Sequence, residues 1–196
     1  ISPLKPNYIV VYTGLNDLAQ VCRTKTENTT TKSRALFNVP RPPSWLMTAD
    51  MLQKNTVFLR TSPRNKNAYL DVNTMDTSWF KSGIEKLVQT IKLSGATPVL
   101  MTNARSYINV EPNQVEKLAE GSLYFYTCLD LAGVIKAGKV FNDIIRESSV
   151  RNNIPLIDLA SKMPGGNDYF VDGGHFTLKG EKFVANQLAD FVESTE

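Results

Sequence analysis

Between Ser78 and Thr102 the hydrophobic period of the chain changes abruptly, and that change is the strongest constraint on the fold. After Trp79, the residues Phe80, Ile84, Leu87, Val88 and Ile91 recur at helical spacing, Gly95 ends the run as a C-cap would, and Pro98, Val99, Leu100 and Met101 follow without interruption. A helix feeding directly into a continuous apolar strand, Thr97–Thr102, calls for a parallel strand pair joined by a right-handed crossover. An earlier partner strand is at hand. Tyr8–Tyr12, with β-branched Ile9, Val10 and Val11 between Pro6-Asn7 and Gly14, reads as a short strand buried on both faces. Helices fill much of 112–151, with breaks expected near Gly133 and Gly138, and Ile154–Leu159 is the third strand. A last helix runs from Thr177, a fair N-cap, to about Glu193, burying Phe183, Val184, Leu188, Phe191 and Val192. Strands alternating with helices predict an α/β fold with a doubly wound parallel sheet.

The rest of the chain sets bounds. With 196 residues and 42% hydrophobic content it can build one domain, 1–196. A polar, turn-prone stretch at 23–43, a helix over about Ser44–Leu59 and a polar loop to about Thr77 together make an insertion at about 24–76. Such a connection is longer than α/β units ordinarily need, which suits a lid or partner surface where substrate specificity resides. The arginines Arg34, Arg41, Arg60 and Arg64 there are explained equally by an anionic substrate and by a solvated loop. A net charge of +3 with no long block of like charge gives no electrostatic footprint for nucleic acid. Cys22 and Cys128 form no metal-spaced set; they could pair, but their separation along the chain says nothing of distance, and the default reading is unpaired small hydrophobes. With one histidine in the chain, neither a metal nor another cofactor is expected. No apolar run reaches the roughly 20 residues that span a bilayer.

Ligand sites of such sheets lie outside the carboxyl ends of the strands. Two motifs fall there. Gly14-Leu15-Asn16-Asp17 follows the first strand, and Asp172-Gly173-Gly174-His175 follows the third. An aspartate three residues before a histidine can hold the imidazole in one tautomer and stabilise the imidazolium. An asparagine at a strand end can donate its side-chain N–H to a developing oxyanion. Each motif alone has an ordinary explanation, since Gly, Asn and Asp are turn residues after any strand and a lone loop histidine is more often a surface or capping residue. Trp45, Trp79 and the aromatics of Leu123-Tyr124-Phe125-Tyr126 are read as core rather than site.

Taken together, in this order and context, the motifs resemble the SGNH (GDSL-type) hydrolase family. YIVVYTGLND at 8–17 resembles that family's third block, and DYFVDGGHFTLKGEKFVA at 168–185 resembles its fifth. The resemblance implies a flavodoxin-like, three-layer fold and a serine esterase acting through a serine ester intermediate. It makes His175 the general base, Asp172 its orienting partner, Asn16 an oxyanion donor and Gly14 the residue that lets the chain turn. Asp17 is expected to tether the loop through backbone amides rather than to move protons.

The family's Gly-Asp-Ser nucleophile block lies upstream of its third block, and this sequence opens at Ile1, just before the third-block strand. The first strands and the nucleophile are therefore expected on a missing N-terminal segment or a companion polypeptide. The same conclusion follows from the common 2-1-3-4-5 strand order, in which a sheet beginning at strand three leaves an apolar edge unpaired. Among the serines within the chain, Ser106 follows a strand but lacks the glycines of a nucleophile elbow, Ser122 and Ser148-Ser149 fall in helices, and Ser2 is terminal. The expected substrate is a small ester or an acylated carbohydrate, and the resemblance favours a secreted or periplasmic protein. A non-catalytic binding module of the same fold and an O-acyltransferase are the alternatives.

Overall fold

The computed structural model describes residues 4–14, 16–22 and 69–195. The expected helix at Ser44–Leu59 and most of the 24–76 insertion lie outside them. Strand β1 (Tyr8–Tyr12) leads through Gly14 into helical residues 16–22 (α1); then come α2 (Ser78–Leu93), β2 (Thr97–Met101), α3 (Pro112–Phe125) and α4 (Leu131–Asn152). The chain continues through β3 (Leu156–Ile157), a short α5 (Leu159–Lys162) and α6 (Leu178–Glu193).

The three strands form one parallel sheet in the order β1-β2-β3, with Tyr8 opposite Thr97, Tyr12 opposite Met101, and Met101 opposite Ile157. Side chains alternate along β2, so its two faces feed different cores. Leu100 joins Leu18, Phe80, Ile84, Val88, Phe141 and Ile145, which come from α1, α2 and α4. Val99 and Met101 join Ile157, Leu159, Met163 and Phe170, against which Phe183, Val184, Leu188 and Phe191 of α6 pack. Burial of each such side chain contributes about 1.5–3 kcal/mol of transfer free energy. The site is thus anchored on a strand covered from both sides.

Several details depart from the expectations. β1 is not buried on both faces: it is an edge strand among the described residues, with Val10 39% and Tyr12 40% exposed. Strand order follows chain order, so the described sheet does not contain the reversal that defines a doubly wound arrangement. The break in 112–151 falls between Phe125 and Leu131, and Gly133 and Gly138 lie inside α4. The physical cause is a cap, because the Asp130 carboxylate accepts the Gly133 N–H at 2.7 Å and fixes the helix start ahead of the glycine. The third strand shortens to Leu156–Ile157 because Asp158 bonds Arg146 and Thr102 and the chain then coils into α5. Leu87 and Val192 face solvent, each 43% exposed, so the buried stripes of α2 and α6 are narrower than the sequence periodicity suggests.

Cys22 and Cys128 are joined in a disulfide, their Cα atoms 5.3 Å apart, which corrects the unpaired reading. Spacing along the chain carried no information about it. The bridge ties α1 to the segment between α3 and α4, and Leu70 N–H donates to the Cys128 carbonyl beside it at 2.8 Å.

Candidate active site

The segment from Asp168 to Gly180 folds back on itself after α5. Phe170 and Phe176 face each other in an antiparallel bridge, Val171 N–H donates to the His175 carbonyl at 2.9 Å, and Thr177 N–H donates to the Tyr169 carbonyl at 3.0 Å. Phe170, 1% exposed, pins this turn into the core. Thr177 caps α6 as expected, accepting the Gly180 N–H at 3.2 Å, while its hydroxyl donates to the Asp168 carbonyl at 2.6 Å. Gly180 lies so close to the Tyr169 carbonyl oxygen that a methyl group there would overlap it. Backbone, cap and glycine together fix where the turn sits relative to the helix.

At the tip of this turn, Asp172 and His175 form a preorganised pair. One carboxylate oxygen accepts the backbone N–H groups of Gly174 and His175, each at 2.8 Å, and the other lies 2.7 Å from His175 Nδ1. Partial burial pushes the Asp172 carboxyl up, but the two backbone N–H groups and the imidazole more than offset it, so its pKa is lowered. With Nδ1 taken, Nε2 is left for another partner, and the imidazole is 71% exposed. Such an arrangement can orient an imidazole and leave its Nε2 able to accept a proton.

The other corner is the turn after β1. Gly14 takes a φ of +119°, a conformation that L side chains rarely adopt, and Asn103 Nδ2 and Phe80 crowd the position where a Cβ would stand. Asp17 tethers the turn, its carboxylate accepting the Gly14 N–H at 3.1 Å and the Thr13 hydroxyl at 3.0 Å. Asn103 reaches across from the end of β2 to donate to the Thr13 carbonyl, and is itself held by a reciprocal pair of bonds with Asn142 at 2.8 and 3.0 Å. Asn16 follows at the start of α1, exposed.

Asn16, Asp172 and His175 line one cleft of about 230 Å³, so the two motifs, far apart in sequence, meet at the carboxyl ends of the strands. Gly14 lies at the turn behind it rather than on its surface. The cleft is also lined by Gly173 and Gly174 of the second motif, by Ser122, and by Arg105 after β2, which the sequence did not single out; Phe125 and Tyr126 line it too, which corrects their reading as core rather than site, since α3 ends there and leaves Tyr124 46% and Phe125 68% exposed. Only tertiary placement identifies them, since an isolated arginine after a strand has no local signature. Trp45 lies outside the described residues. Trp79 packs in the core against Phe80 and Phe141, as expected.

The serines weighed in the sequence are buried in the fold where they are described. Ser106, 1% exposed, donates its hydroxyl to the Leu118 carbonyl at 3.1 Å, and its backbone bonds both Gly173 and Gly166. It clamps the turn rather than presenting a nucleophile. Ser122 is 4% exposed and its Oγ packs against Gly173, leaving no room for a side chain at that glycine. Ser148 and Ser149 bond Glu85 and the Ile154 carbonyl. Among the described residues there is also no cluster of three or more His, Cys, Asp or Glu side chains that could hold a metal ion, and no helix is long and apolar enough to cross a membrane.

No protein-family model matches the chain, and no curated protein matches it. Among solved structures it is similar to a GDSL-like lipase from Bacteroides thetaiotaomicron, at 16% identity over 91% of this chain and 100% of that one, with a TM-score of 0.45.

Proposed function

We propose that this chain carries the histidine half of a serine ester hydrolase of SGNH type. The 2.7 Å contact between Asp172 and His175 Nδ1, at the mouth of a cleft shared with Asn16, is the observation that carries this reading. His175 Nε2 takes the proton of a serine hydroxyl as its oxygen attacks an ester carbonyl, and Asp172 stabilises the resulting imidazolium. Asn16 donates its side-chain amide to the tetrahedral oxyanion. The imidazolium then protonates the departing alcohol, and a water molecule activated by the same base releases the acid from the serine ester.

No Gly-Asp-Ser occurs in the sequence, and this reading assigns the nucleophile to a segment outside these 196 residues, on the same or a companion polypeptide. The open edge of β1, with Val10 and Tyr12 exposed, supports further strands there, completing a doubly wound, three-layer sheet. A cleft of about 230 Å³ suits a small acyl group, such as an acetyl ester of a carbohydrate, better than a long lipid chain. The disulfide supports an oxidising compartment, secreted or periplasmic.

A binding module that shares the fold is the competing reading, and the engaged hydroxyl of Ser106 and the burial of Ser122 favour it if no second segment exists. A fluorophosphonate reagent separates the two. Applied to the complete protein and read by mass spectrometry, it is expected to label one serine outside this chain, with labelling strongly slowed by His175→Ala. Absence of labelling, or labelling indifferent to His175, overturns the hydrolase reading.

A further inference from the structure

We infer that Arg105 is an anion-reading residue of the cleft, and that the preferred ester carries a carboxylate near its reacting carbonyl. This rests on the reading of the cleft as an ester-binding site. Arg105 is 6% exposed, yet it forms no ion pair with any described residue. Its one side-chain hydrogen bond among the described residues goes from Nη1 to the Tyr126 hydroxyl, at a long 3.4 Å, and its guanidinium carbon lies 6.0 Å from the centre of the same ring.

A guanidinium has five N–H donors, and a buried cation ordinarily sits against a carboxylate. The groups around this one are tyrosines. Burial raises the pKa of Tyr107 despite the pull of the Arg105 charge, so it remains neutral and does not serve as counter-ion. The contrast with Arg146 is plain, since that residue spreads its donors over Asp143 and Asp158 at 2.8–3.0 Å.

Arg105 lines the cleft that holds Asn16, Asp172 and His175, as does Tyr126, to which its guanidinium donates; it also lines a second cavity with Tyr107 and Arg146. Among the described residues no other arginine or lysine lines the first cleft, and the Asp172 carboxylate does. One cation matches a monoanion better than a phosphate dianion, whose second charge would go unanswered and would be repelled by the Asp172 carboxylate. A carboxylate also fits the planar fork of the guanidinium, accepting two parallel N–H bonds.

The test compares monomethyl succinate, an ester bearing one carboxylate, with dimethyl succinate, its neutral counterpart. Both are titrated into the full chain and followed by calorimetry and by the Arg105 Nε–Hε signal in NMR spectra. The half-ester is expected to bind at least tenfold more tightly, to move the Arg105 signal, and to lose its advantage as salt is raised. Arg105→Gln should reduce the preference to less than twofold, and Arg105→Lys should keep part of it. Equal binding of the two esters, no binding of either, or a preference that survives Arg105→Gln overturns the inference. Should Arg105→Gln not fold, the wild-type preference and the Arg105 signal decide the matter without it. Turnover by the complete enzyme is read separately: hydrolysis without charge preference sinks the Arg105 assignment alone, whereas Arg105-dependent binding with no hydrolysis of either ester sinks the hydrolase reading alone.

Discussion

The two corners of the cleft are built in opposite ways. At the Asp172–His175 turn, the carboxylate finds all its partners within three residues, and the cap on α6 follows immediately. At the Gly14–Asp17 turn the local tether from Asp17 is joined by Asn103, 90 residues away in sequence from Thr13, and by the Cys22–Cys128 bridge, with its separation of 106 residues. The pair at the first corner is written in consecutive residues, although Ser106 and Phe170 fix where its turn sits. The second exists only once the sheet has assembled, because contacts across the fold fix its position.

The difference can be broken from either side, and chemistry gives the largest expected effect. Asp172→Asn removes the group that orients the imidazole, and on the proposed hydrolase reading kcat should fall by about 10⁴-fold while the fold survives. The same substitution has a signature in stability against pH. The folded-state pKa of Asp172 lies below its ordinary value, so its contribution is complete above about pH 4 and is lost as pH falls through the lower folded value. Acid titration followed by circular dichroism should therefore show a flatter acid limb in Asp172→Asn than in the wild type.

Removing the bridge tests the other corner. Replacing Cys22 and Cys128 together by serine should lower stability by about 4–5 kcal/mol, the chain-entropy value for a loop of about 100 residues, as read by urea unfolding. The imidazole resonances of His175, the single histidine of the chain, should be unchanged under native conditions. A shifted His175 spectrum would mean that the two corners are not independently built.

Two glycine substitutions give smaller effects of opposite sign. At Gly180 a methyl group would overlap the Tyr169 carbonyl, so Gly180→Ala should destabilise by about 1–3 kcal/mol and displace the turn bearing His175. Gly83, exposed inside α2 with no atom near its missing Cβ, should instead gain about 0.5–1 kcal/mol on Gly83→Ala. Thermal unfolding of both variants checks the contrast.

The same difference explains what could be read from the sequence. The Asp172–His175 pair, the Thr177 cap and the core of α2 were legible because their partners lie within one or two turns of chain. The Gly14 turn and its Asp17 tether were legible as a turn. The disulfide was not, because sequence separation says nothing of the 5.3 Å between its Cα atoms. Nor was the break before Leu131, since a capping aspartate outweighed two glycines that usually interrupt helices. Arg105 was missed for a related reason. Its burial without a carboxylate is a property of three elements packed together, and no neighbour in sequence announces it.

The account stands or falls on His175 as the base of an ester hydrolase. The direct measurement is kcat/KM for p-nitrophenyl acetate with the complete protein, wild type against His175→Ala, with circular dichroism confirming that both are folded. A fall of about 10⁴-fold or more is the predicted result. Turnover unchanged in a folded His175→Ala protein would contradict the assignment of this cleft as the active site.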